Sequence, residues 1–134
     1  TNEVHFAWLN TPKNNGGIEG VTYPILADTN RNLANILGIL DIESTSYSED
    51  TDSVIIEGSN VTYRATYLID ETGKIFHESV NDMPLGRNVN EYLRMVDAYT
   101  HIQTKGEVCP ANWEAGKEAM SADRLSTAEY LSAN

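Results

Sequence analysis

Cys109 is the only cysteine of the chain and lies in the stretch Glu107–Trp113, EVCPANW. A thiol can attack an electrophile, ligate a metal or exchange with a disulfide, and its ionised form does the work. Most single cysteines are small apolar core residues. Here Lys105, Gly106 and Glu107 precede the sulfur and Pro110 and Asn112 follow it. Polar, turn-rich chain favours an accessible thiol over a buried filler. A thiol without a partner in its own chain can pair with another chain or another copy. The other candidates for chemistry are two arginines. Arg64 falls mid-strand by pattern, where it is either part of an exposed polar face or a permanently charged partner for an anion or thiolate. Arg87 stands at a loop–helix junction and by itself reads as a surface residue.

Other chemistries lack their residues. His77-Glu78 begins like the zinc-protease helix motif, but Asn81 occupies the second histidine position. His5, His77 and His101 have no metal-ligand spacing, and one cysteine cannot build a structural zinc site. There is no phosphate-cradling glycine loop, no CxxC and no nucleophile elbow. No metal or organic cofactor is expected. Twenty acidic residues against nine basic ones give a formal charge of −11, which disfavours nucleic acid and anionic membranes as partners. No apolar run approaches the length of a membrane span, and one cysteine fits a reducing compartment, so a cytoplasmic location is expected. The sequon at Asn60 reads as chance. The chain opens on Thr1 rather than Met, which reads as processing or as a piece of something longer.

With 134 residues and 40% hydrophobic content, one domain with its own core is expected. Val4–Asn10 carries β-branched and aromatic residues and predicts a strand ended by Thr11-Pro12, with His5 and Trp8 as packing residues. Lys13–Gly20 reads as a loop and Tyr23–Ala27 as an extended segment. A helix capped by Asp28 or Thr29 follows, with Leu33, Ile36, Leu37 and Leu40 in one buried stripe. Glu43–Asn60 is an acidic, solvated excursion with room for a small hairpin. Thr62–Ile69 is the clearest strand, turned by Asp70–Gly73 into its partner Lys74–Val80. A capping-box-like Asn88–Glu91 then starts a long helix whose buried face is Val89, Tyr92, Leu93, Val96 and Tyr99. The Cys109 segment follows, and Ser126–Glu129 caps a last helix. This order of elements is α/β.

Five segments carry a resemblance: HFAWLNTP (5–12), GGIEG (16–20), TYRATYLIDETGKI (62–75), VNDMPLGRNVNEYLRMVDA (80–98) and GEVCPANW (106–113). In this order they resemble typical 2-Cys peroxiredoxins, the thioredoxin- or AhpF-reduced group that includes bacterial AhpC. The resemblance implies a thioredoxin-like fold, with a central mixed sheet flanked by helices, over residues 1–105, and a resolving-cysteine tail over 106–134. It implies a homodimer, commonly assembled as a ring of dimers, and peroxidase activity toward hydrogen peroxide and alkyl hydroperoxides. In that reaction a peroxidatic thiolate attacks one peroxide oxygen and becomes a sulfenic acid, while the O–O bond breaks and the other oxygen leaves, protonated, as an alcohol or water. A resolving thiol of the partner subunit then condenses with it, expelling water, and a dithiol reductant reopens the disulfide.

By motif, Cys109 corresponds to the resolving cysteine, Arg64 to the arginine that stabilises the peroxidatic thiolate and polarises the peroxide, and Arg87 to a second pocket arginine. Lys74–Val80 corresponds to the strand that pairs across the dimer, and Glu3–His5 to part of the ring interface. The peroxidatic motif, Pro-x-x-x-Thr/Ser-x-x-Cys, belongs upstream of this chain, which covers roughly the C-terminal two-thirds of the family pattern. These residues alone are therefore expected to be inactive toward peroxide. Two further departures are the acidic insertion 43–60 and the overoxidation-linked motifs, half-matched as Gly16–Glu19 and Tyr130-Leu131. The alternatives are a non-catalytic fragment or chaperone-like assembly unit, marked by ring formation without turnover, and a binding module whose thiol is incidental.

Overall fold

The computed structural model describes residues 1–133, which divide into two units, Thr1–Tyr63 and Arg64 onward. In the first unit, α1 spans Asn2–Leu9, where the sequence predicted a strand. The Thr1 hydroxyl and carbonyl accept from the N–H groups of Val4 and His5 and start the helix. Asn10 and Thr11 turn their side chains back onto the carbonyls of Phe6 and Ala7, and Pro12 cannot extend the ladder. Local hydrogen bonds thus override the strand propensity of β-branched and aromatic residues that no neighbouring strand rewards. Val4, Phe6 and Trp8 are all exposed, so Trp8 is no core residue; its indole donates to Gly16 O at 2.9 Å. His5 is not the satisfied packing residue expected either, because its Nδ1 is buried without a hydrogen-bond partner.

Tyr23–Ala27 has no regular structure, and α2 is one short turn, Asn32–Ile36. The N-cap position is Arg31 rather than the expected Asp28 or Thr29, but Asp28 still serves the helix start from outside it: its carboxylate accepts the N–H groups of Leu33 (3.1 Å) and Ala34 (2.8 Å). The expected buried stripe is absent, for only Ala34 is buried and Ile36 is 81% exposed. Gly38, at φ +65°, ends the helix before Leu40, which instead bridges Thr62. The acidic excursion forms a hairpin of β1 (Ser44–Ser48) and β2 (Ser53–Glu57).

The second unit begins with β3 (Arg64–Ile69) and β4 (Ile75–Asn81), an antiparallel pair that the Asp70–Gly73 turn connects as the sequence predicted. The Asp70 carboxylate accepts from the N–H groups of Thr72 and Lys74, which closes that turn. Then α3 spans Val89–Lys105, its first turn capped by the Asn88 side chain accepting from Asn90 N–H. The reciprocal half of a capping box is missing because the Glu91 carboxylate is engaged by Arg94. Val89, Leu93 and Val96 are exposed, contrary to expectation. The tyrosines of the expected face do engage, and a second face engages as well. Tyr92 and Tyr99 turn to the β3–β4 hairpin, through Ser79 and through Phe76 and Asp70. Arg94, Ala98 and His101 turn to the segment that follows.

Gly106, at φ +70°, caps α3 and turns the chain back. Finally α4 spans Arg124–Ala133, capped by Asp123 rather than Ser126; the Asp123 carboxylate takes the N–H groups of Leu125 and Ser126. Among the described residues the buried apolar side chains are Ala34, Ala98 and Trp113, a smaller core than the composition predicted. No described helix is long and apolar enough to cross a membrane.

Candidate functional site

The segment carrying Cys109 is a loop folded against one face of α3. Its neck is a two-way backbone bridge, Val108 N–H to Met120 O at 2.7 Å and Met120 N–H to Val108 O at 3.1 Å. Within the loop, Trp113 N–H donates to Pro110 O, and Asn112 takes a left-handed turn at φ +61°. Trp113 is the anchor. It is 3% exposed, and its indole N–H donates to Lys117 O at 3.1 Å. A buried tryptophan contributes a large apolar area, and here its one donor is satisfied as well.

Two side chains of α3 hold the loop. Arg94 grips Glu91 through Nε and Nη2, at 2.9 and 2.8 Å, and its Nη1 donates to Trp113 O at 2.8 Å. His101 Nε2 lies 2.7 Å from Glu107 Oε2, and its ring packs against the Trp113 ring with centroids 4.9 Å apart. Arg94, Ala98 and His101 are spaced i, i+4, i+7, so they form one stripe on the helix.

Cys109 lies over the middle of this stripe. It is half-buried, and Sγ is 3.7 Å from Ala98 O, within donating distance for a thiol. Burial raises the thiol pKa and the Glu107 carboxylate raises it further, while the Arg94 guanidinium lowers it. The net effect is upward, so the docked loop stores the sulfur as a thiol rather than presenting a thiolate. The sequence pointed to an accessible thiol; the structure places it half covered.

The two arginines singled out by sequence lie elsewhere, around the start of β3. Arg64 is exposed, and its Nε donates to Met83 O at 2.6 Å. Arg87 is exposed, and its Nη1 donates to Ala65 O at 3.2 Å. Both therefore tie the loop 82–87 to β3, and Asn81 adds a third tie through Gly86 O at 3.0 Å. Arg87 also exerts its charge on Tyr92, whose phenol pKa is lowered chiefly by hydrogen bonds from Ser79 and Thr66. The cation acting on Cys109 is thus Arg94, not Arg64 or Arg87. A separate groove of about 680 Å³ between the hairpin and α3 is lined by Tyr67, Phe76, Val96 and Tyr99 and by none of the candidate residues. Among the described residues, no three His, Cys, Asp or Glu side chains gather as a metal site.

Comparison with known proteins settles the family. The model of the AhpC/TSA family matches residues 1–78, more than half of the chain. The chain belongs to the AhpC/TSA family. The C-terminal domain of 1-Cys peroxiredoxin matches residues 98–133, the stretch that holds the Cys109 loop and α4. Alkyl hydroperoxide reductase C of Helicobacter pylori is 43% identical over 132 residues, covering 98% of this chain and 59% of the relative. The human mitochondrial thioredoxin-dependent peroxide reductase is 36% identical over 127 residues, covering 95% and 44% respectively. The chain therefore spans about three-fifths or less of the length of these relatives.

The reduced 2-Cys peroxiredoxin of Plasmodium vivax superposes with a TM-score of 0.79 at 35% identity, over 98% of this chain and 60% of that one. That likeness establishes the thioredoxin-like peroxiredoxin fold expected from the sequence motifs, but the expected central mixed sheet is not what the described residues form: their strands make two separate antiparallel pairs. Sequence reasoning missed Arg94 and His101. Their spacing on α3, with Glu91 three residues before Arg94, was the available signal.

Proposed function

We propose that this AhpC/TSA chain is part of a thiol-dependent peroxidase subunit that reduces hydrogen peroxide and alkyl hydroperoxides, with Cys109 as its resolving cysteine. The observation that carries the reading is the setting of that thiol. A resolving sulfur must stay quiet until a sulfenic acid forms on another subunit, and then travel to it. Cys109 is held half-buried with its pKa raised, on a loop attached to α3 by a few polar contacts and one tryptophan. Its peroxidatic partner is a cysteine outside these residues. Arg64 and Arg87 belong to the peroxide pocket, where a guanidinium favours the attacking thiolate and the charge developing on the leaving oxygen.

In this reading the assembly is a homodimer, built into a ring of dimers, and the reductant is thioredoxin or an AhpF-type dithiol protein in the cytoplasm. The open edges of the two-stranded β3–β4 sheet support assembly, since unpaired strand edges offer backbone groups to another strand. Residues 106–134 then act as a swinging arm on the core.

The test is peroxide treatment of the protein together with its peroxidatic segment. A disulfide linking Cys109 to a second subunit should appear, and Cys109→Ser should abolish it. Linked dimers persisting in that variant, or none in the parent, would overturn the assignment. Arg64→Ala should raise the pKa of the peroxidatic thiol and slow its attack on peroxide by roughly a hundredfold or more.

A further inference from the structure

We propose that His101 is a positioning residue for Cys109: its contact with Glu107 is a latch that holds the thiol-bearing loop on α3 while the imidazole is protonated. The proposal rests on the reading of Cys109 as a thiol that must leave this loop site, but not on peroxidase turnover. Three observations carry it. The His101–Glu107 contact, at 2.7 Å, joins α3 to the residue two before the cysteine. The His101 ring also packs against Trp113, the anchor on the other side of the sulfur. Together with Arg94 on Trp113 O, these contacts clamp the loop both before and after Cys109.

Only one of the three can change charge near neutral pH. Arginine stays cationic and tryptophan neutral, whereas imidazole titrates in the physiological range. The charged or titratable groups around it are Glu107 and Cys109 from the loop, Arg94 and its partner Glu91 from α3, and Glu114, whose charge acts on Arg94 beyond Trp113. Arg94 is already satisfied by Glu91, so Glu107 is the carboxylate left for His101. Protonation makes the contact an ion pair and tightens the loop. Loss of the proton leaves an ordinary hydrogen bond, and the loop opens more often.

The experiment is the rate of Cys109 alkylation by iodoacetamide, a neutral reagent, from about pH 5.5 to about pH 8. The reduced protein is used, and the modified peptide is read by mass so that any other thiol is counted apart. Comparing parent with His101→Gln cancels the ionisation of the thiol itself. Glutamine keeps a donor for Glu107 but cannot take up a proton. At the acid end the parent should react roughly fivefold more slowly than the variant, the scale of one half-exposed ion pair, and the two rates should converge at the alkaline end. Glu107→Gln cuts the same pair from the loop side and should also lose the acid protection. A parent-to-variant ratio that is constant with pH overturns the latch, as does a parent that reacts faster at acid pH. If the ratio behaves as expected but peroxide yields no Cys109 disulfide, the latch stands and the peroxidase reading fails.

Discussion

The two hairpins of the chain are built on similar strands and end in different environments. The first pairs Ser44–Ser48 with Ser53–Glu57 in unbroken register, yet every residue of β2 is exposed. Its side-chain ties are internal, Ser44 to Glu57 at 2.5 Å and Tyr47 to Asp52. The second pairs Arg64–Ile69 with Ile75–Asn81, and the four interior residues of β3 are half-buried. What separates them is α3. Phe76 stacks on Tyr99 at 3.9 Å, the Tyr99 hydroxyl donates to Asp70 at 2.8 Å, and Tyr92 meets Ser79 at 3.1 Å. A two-stranded ribbon alone is marginal in water; a helix laid along it makes it part of a core. Strand pattern therefore makes a hairpin, and what covers it makes it stable.

If α3 is the source of that difference, breaking its contacts should be costly and trimming the first hairpin should not. The largest effect is expected from Trp113→Ala, which empties the site between α3 and the Cys109 loop. Urea unfolding of the second unit should show a loss of about 3–5 kcal/mol. A loss below about 1 kcal/mol would mean that the loop contributes nothing to α3. Phe76→Leu keeps most of the apolar volume and removes the ring stack, so about 0.5–1.5 kcal/mol should go in the same assay.

Asp70 gives a pH-dependent version of the same comparison. Hydrogen bonds from Thr72 first, then from Tyr99 and the Lys74 N–H, hold its carboxyl well below the usual carboxylate range. A pKa depressed by folding stabilises the fold above the unfolded value, about 4, and that stability is lost as pH falls from there through the folded value. Asp70→Asn should flatten the acid limb of the second hairpin's amide protection, measured by hydrogen exchange. An unchanged limb would place the acid sensitivity elsewhere. The smallest effect is expected at Tyr47→Ala, which should leave the unfolding midpoint unmoved.

How far the sequence could be read follows from the same contrast. The second hairpin and α3 were legible because their signals are local: the Asp70–Gly73 turn, alternation, and an Asn cap before a helical period, whereas for the first hairpin the sequence showed only an acidic excursion with room for one. Helix α1 was not, since Val4, Phe6 and Trp8 mimic a strand and only the missing neighbour reveals otherwise. Of the face expected to be buried on α3, Tyr92 and Tyr99 do find partners while Val89, Leu93 and Val96 stay exposed, and Arg94, Ala98 and His101 engage on a second face that was not expected. Polar side chains that hold a loop leave no hydrophobic period to detect. Residue type and motif singled out Cys109, Arg64 and Arg87 as candidates, whereas Arg94 and His101, which hold Cys109 in place, left only their spacing on α3 as a signal and stand out through distances.

The bridge at the neck of the Cys109 loop has a mechanical consequence. Because Val108 and Met120 clasp each other, and the turns at Pro110–Trp113 and Glu114–Lys117 close on themselves, the internal bonds of the loop do not depend on α3. Detachment then breaks the contacts of Arg94, Ala98 and His101 while the loop keeps its shape. The chain entropy gained on release is then that of the chain flanking the bridge, such as the turn at Gly106, not that of a dozen freed residues. On release the sulfur would be carried beside the neck of a preformed piece, and the entropic cost of docking it again would be correspondingly small.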